Sequence, residues 1–135
     1  MSALRRFNPP TVHTPQGRYS HATVHMLGNG LKRLVASGQV GAAPDGTLKA
    51  DLAGQIEQAW DNLLAVLAAE GMTANDLVKI TFFITDPSPE ALKLSREIRA
   101  RKLGDVQPSS TYLVVAGLAG PSLKVEIEGE AVAAA

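Results

Sequence analysis

Between residues 51 and 85 the hydrophobic period switches from that of a helix to that of a strand, so the chain must set a helical layer against a sheet. Leu52, Ile56, Ala59, Trp60, Leu63, Val66 and Leu67 recur at helical spacing on one face. Glu57, Gln58, Asp61 and Glu70 lie off that face. Asp51 is a fitting N-cap, and Gly71 stands where a helix end favours a residue that tolerates positive φ. The pattern predicts a helix over 51–70. Residues 77–85, Leu-Val-Lys-Ile-Thr-Phe-Phe-Ile-Thr, then alternate and are rich in β-branched and aromatic types, which predicts a strand.

The remaining elements fall around this pair. Pro9, Pro10, Pro15 and Gly17 break up residues 1–18, which read as an irregular lead-in. Ala22–Leu27 and Leu31–Ala36 flank Gly28-Asn29-Gly30 and predict a hairpin. Residues 37–41 continue as extended chain to a turn at Pro44-Asp45-Gly46-Thr47. Ser88-Pro89-Glu90 opens a second helix over 89–102. Its apolar side, Ala91, Leu94 and Ile98, is narrow beside Arg96, Arg99, Arg101 and Lys102, and Gly104 ends it. Residues 110–116 read as an apolar strand. Residues 123–132 alternate, with Leu123, Val125 and Ile127 opposite Lys124, Glu126, Glu128 and Glu130. The order is three strands, helix, strand, helix, two strands. It predicts an α+β domain over 1–135: one mixed sheet of about six strands with both helices packed on one face. Two helices leave the other face open. Thr81, Phe83 and the strand at 110–116 predict that this face is not fully wet, and a second subunit is its expected cover.

Composition excludes several functions. The 13 basic and 13 acidic side chains cancel, so no bulk field attracts a phosphate backbone, and the cations of the second helix read as a solvated face. A nucleic-acid partner is not expected. With no cysteine there is no disulfide, thiolate nucleophile or Cys metal site. His21 and His25 would stand about 13 Å apart on one strand face, too far to share a metal ion. No metal and no cofactor are expected. The N-terminus carries no apolar signal region and no apolar run could span a bilayer, so a cytoplasmic protein without membrane contact is the expectation.

An ordered set of short motifs covers about residues 16–132: Gly17-Arg18-Tyr19-Ser20-His21-Ala22, Ser37-Gly38-Gln39, Gln55…Asp61-Asn62-Leu63, Asp76-Leu77-Val78-Lys79-Ile80-Thr81, and Val125-Glu126-Ile127-Glu128. In this order and spacing the chain resembles the Rid family, the YjgF-like reactive-intermediate deaminases also called the endoribonuclease L-PSP family. The resemblance implies a chorismate-mutase-like fold assembled as a homotrimer, with small-molecule ligands in the clefts between subunits. It implies hydrolytic deamination of an imine or enamine. In that chemistry an arginine grips the substrate carboxylate, a geometry suited to guanidinium, and a glutamate on the last strand positions water.

Tyr19, Ser37, Gly38 and Glu126 match the family's site positions. The arginine position does not: Pro108-Ser109-Ser110-Thr111 sets Ser110 there, with Thr111 beside it as a second polar lining residue. A serine cannot neutralise a carboxylate. Either the pocket takes a different ligand, or another cation holds the carboxylate, and Arg18 beside Tyr19 is the candidate. The plainer reading of Arg18 is a solvated loop residue. Glu126 is the expected catalytic carboxylate, with like-charged neighbours that raise a carboxyl's pKa. The alternatives are a non-catalytic ligand-binding or interaction trimer and, further off, an RNA-cleaving translation inhibitor.

Overall fold

The computed structural model describes residues 3–135. Helix α1, Leu52–Ala68, forms on the predicted apolar face. Asp51 Oδ1 accepts from the Gly54 amide at 2.9 Å, which satisfies one of the free donors of the first turn. Ile56, Ala59, Trp60, Leu63, Val66 and Leu67 are all buried. The helix ends two residues before the predicted limit, and Gly71 follows with φ +71°. Helix α2, Pro89–Leu103, is capped by Ser88, whose Oγ accepts from the Ala91 amide at 3.1 Å. It buries Ala91, Ser95, Ile98 and Leu103, and Ser95 turns its hydroxyl onto the Ala91 carbonyl at 2.8 Å.

Six strands form one sheet: β1 Leu4–Phe7, β2 Ala22–Gly28, β3 Leu31–Val40, β4 Leu77–Ile84, β5 Ser109–Val114 and β6 Val125–Ala134. Their order is β1-β2-β3-β6-β4-β5. All neighbours are antiparallel except β4 and β5, whose parallel pairing follows from the α2 crossover. The sheet is therefore mixed, as expected, and one hydrophobic cluster joins it to both helices. Gly28, Asn29 and Gly30 all take positive φ and close the predicted hairpin.

Two readings need correction. The lead-in is not wholly irregular, because Leu4–Phe7 pairs with β2 at the sheet edge. Leu-Arg-Arg-Phe has no alternation to reveal this; the strand exists through its partner's hydrogen bonds and through Arg5, which lies 5.4 Å from the Phe7 ring centroid and pairs with Glu70. Residues 37–40 are not a separate extended stretch. They complete β3 beyond a bulge between Ala36 and Gln39.

The register of β4 decides which way each candidate residue faces. Ile80, Phe82 and Ile84 are buried, whereas Thr81 and Phe83 are only partly covered on the other face. Ser110 pairs with Ile80 and so shares the helix face, while Glu126 pairs with Phe83 and faces away from the helices. Just past β3, Gly41 lies against α1. A Cβ there would run into Cα and Cβ of Gln55, atoms of a buried helical turn that cannot yield. Gly41→Ala is expected to cost about 1–3 kcal/mol, read as a lower urea midpoint with an unchanged slope.

Candidate functional site

A cavity of about 790 Å³ opens where the β3 bulge, the start of β6 and the loops at 13–19 and 119–122 converge. The bulge creates its centre. Ser37 and Gly38 leave the ladder, which resumes at Gln39–Ile127 and Val40–Glu126. The Glu126 carboxylate fills the space above Gly38 that a side chain would take. Glu126 is half-buried, and burial raises its pKa, with Glu128 adding a smaller push in the same direction. A carboxyl poised in this way can hold or release a proton nearer neutrality than an exposed one.

A chain of hydrogen bonds shapes the wall beneath. Ser37 donates its hydroxyl to the Ser20 carbonyl at 2.6 Å and its amide to the His21 carbonyl at 2.8 Å. His21 Nε2 lies 2.6 Å from the His13 carbonyl, an acceptor, so Nε2 carries the proton. Nδ1 is then free to accept from Gln39 Nε2 at 3.2 Å, and that same amide also donates to the Ser37 carbonyl. Burial lowers the pKa of His21, in keeping with a neutral ring locked in one tautomer. His13 and Tyr19 pack edge-on against it at 5.1 and 6.0 Å. Gln55 fixes the opposite rim, donating to the Lys49 and Ser122 carbonyls and accepting from the Lys124 amide.

Tyr19, Ser37, Gly38 and Glu126 thus line one cavity. Arg18 is exposed, and the cavity wall runs through Gly17 and Tyr19 without it. Ser110 and Thr111 lie elsewhere, on β5. Ser110 Oγ accepts from Arg99 Nη1 at 2.9 Å on the helix face, and Thr111 Oγ1 accepts from Lys79 Nζ at 2.6 Å on the other. Sequence reasoning did not reach Gln16, His13 as a wall residue, or the inward turn of Arg99. Only Arg99 left a usable signal: it stands four residues after the buried Ser95 and eight after Ala91, at the edge of the α2 stripe.

The family model described as Endoribonuclease L-PSP matches residues 11–133. The chain belongs to the endoribonuclease L-PSP family. Among its relatives, the RutC family protein YjgH of Escherichia coli is 34% identical over 123 residues, covering 87% of this chain and 92% of the relative. The 2-iminobutanoate/2-iminopropanoate deaminase of Escherichia coli is 33% identical over 108 residues, or 78% and 81% of the two chains. Among solved structures, the Rid-family protein YyfA of Yersinia pestis superposes with a TM-score of 0.81 at 32% identity, covering 96% and 98%. Escherichia coli TdcF, solved with bound serine, gives 0.83 at 25% identity, covering 96% and 99%.

In this L-PSP family chain the candidate positions are divided between the cavity and β5, where Ser110 lies on the helix face and Thr111 on the other. Among the described residues no three His, Cys, Asp or Glu side chains converge as a metal site, and no helix is long and apolar enough to cross a membrane.

Proposed function

We propose that this chain hydrolyses the carbon–nitrogen bond of a small 2-imino acid, or of its enamine tautomer, in clefts between the copies of a homotrimer. The observation that carries the reading is Glu126, a half-buried carboxyl with a raised pKa standing over Gly38 in a large cavity. Glu126 takes a proton from water as its oxygen attacks the imine carbon. It gives that proton to nitrogen, forming a carbinolamine, and then carries the carbinolamine's hydroxyl proton to the same nitrogen as the carbon–nitrogen bond breaks, leaving ammonia and a 2-oxo acid. Water is the only co-reactant consumed. The 33% identity to a 2-iminobutanoate/2-iminopropanoate deaminase supports the substrate class. The test is ammonia release from 2-iminobutanoate generated in situ. A rate no higher than that in buffer would overturn the reading and favour the ligand-binding trimer, to which Ser110 at the arginine position gives support.

The assembly has support of its own. Leu113 and Val114 on β5 are 42% and 50% exposed, and Phe83 beside Leu113 is only partly covered. An edge strand carrying large apolar side chains is a surface for a partner. Sedimentation equilibrium is expected to give three copies per particle, and Leu113→Asp is expected to shift the particle toward monomer. A wild-type monomer at micromolar concentration would remove the trimer. The cations of α2 lend little to an RNA reading: Arg101 and Lys102 pair with Glu57 and Asp61, and Arg99 turns inward.

A further inference from the structure

Arg99 is a partly buried cation packed on an aromatic ring. Its guanidinium lies 5.5 Å from the Trp60 ring centroid, and its one side-chain hydrogen bond goes to the neutral hydroxyl of Ser110. Arg5, Arg33, Arg101, Lys32 and Lys102 each have a carboxylate within ion-pair distance, and Arg99 has none among the described residues. Burial lowers its pKa with no anion to hold it up. A partly desolvated cation without a counter-charge is costly to maintain. Nearby, Tyr112 stacks at 5.3 Å on Phe82, which lies 6.4 Å from Trp60, and both the Tyr112 hydroxyl and Trp60 Nε1 are buried without a partner among the described residues. The cluster holds a cation and unused donors, and it lacks an anion.

We propose that Arg99 is the substrate-carboxylate grip of this protein, reaching from α2 to stand beside Ser110 and receiving the 2-imino acid whose carbon faces Glu126 of a neighbouring copy. This rests on the deaminase reading above. Trp60 holds the plane of the guanidinium and Ser110 fixes one of its nitrogens. The remaining N–H groups present a fork that suits a planar carboxylate. Ser110 is a positioning residue here, and the charge that a strand arginine would carry comes from the helix. Because Ser110 and Glu126 face opposite sides of their own sheet, grip and acid–base group meet only across two copies.

Trp60 is the only tryptophan in the chain, so its fluorescence reports on Arg99 directly. Titrating the wild-type protein with 2-oxobutanoate, the stable reaction product, is expected to change Trp60 emission saturably, whereas 2-butanone, which lacks the carboxylate, is not. Arg99→Gln is expected to weaken 2-oxobutanoate about a hundredfold, equivalent to about 2.8 kcal/mol, with added guanidinium ion restoring part of the affinity. Should Arg99→Gln melt early, Arg99→Lys keeps a cation at Trp60 and is expected to lose roughly tenfold, since an ammonium cannot form the fork. Co-expressing Arg99→Gln with Glu126→Gln chains, assayed at a substrate concentration where each alone is nearly inactive, is expected to recover about a quarter of wild-type turnover, because random mixing leaves that share of shared sites intact. Unchanged 2-oxobutanoate affinity in Arg99→Gln, or no recovery in the mixture, would overturn the assignment while leaving the deaminase reading intact, provided that Glu126→Gln still abolishes turnover. Wild type that neither turns over 2-iminobutanoate nor binds 2-oxobutanoate would overturn both.

Discussion

Glu126→Gln is expected to lower ammonia release from 2-iminobutanoate by about 10²- to 10⁴-fold, the usual worth of a positioned acid–base group. The same change is expected to stabilise the protein at neutral pH. Burial, and then Glu128, raise the carboxyl's pKa in the folded chain. A carboxyl raised on folding favours the native state while it is protonated, and that contribution is lost as pH climbs from the unfolded value through the folded one. At pH 7 the wild type therefore carries an unfavourable charge that the amide lacks. Near pH 4 both side chains are neutral and the difference closes. Urea titrations at the two pH values measure it. A variant less stable than wild type at pH 7, or an offset that does not change with pH, would show that the site does not penalise the ionised carboxyl. A gain in stability coupled to a loss of turnover is the mark of a group retained for chemistry.

Gly38→Ala is expected to remove activity by displacing the same carboxyl while leaving its chemistry unaltered. The added methyl would collide with the end of the Glu126 side chain, which is flexible and can swing away. The fold should thus survive with little change in urea midpoint, while turnover falls toward that of Glu126→Gln. The contrast with Gly41→Ala is diagnostic, since there the obstacle is backbone and the loss is one of stability. Comparable turnover in wild type and Gly38→Ala would mean that Glu126 works from another rotamer.

The elements with a strong period were legible in the sequence. The α1 face, the β4 alternation, the Gly28-Asn29-Gly30 turn and the Ser88-Pro89 cap each depend on residues close in sequence, and each appears within a few positions of its predicted bounds. β1 was illegible because nothing local specifies it; Leu4–Phe7 is a strand only because β2 lies alongside. The candidate site residues could be named from the sequence, but their arrangement could not. Tyr19, Ser37, Gly38 and Glu126 do come together. That Ser110 faces the helices depends on the register between β4 and β5, which a one-residue slip would invert. Arg99 was hidden for a different reason. Its place at the edge of the α2 stripe was only a weak signal, because among the five cations of that helix it is Trp60, 39 positions earlier, that makes the selection.

Gln55 shows what the chain gains by building its cavity during folding. One buried amide holds the Lys49 carbonyl, the Ser122 carbonyl and the Lys124 amide. The conformational entropy of those two rims is thereby surrendered once, when α1 packs onto the sheet, instead of at each encounter with a small molecule. Most of the binding free energy of a ligand with few atoms can then appear as affinity and orientation. The lifetime of the open cavity becomes a property of the helix that carries Gln55.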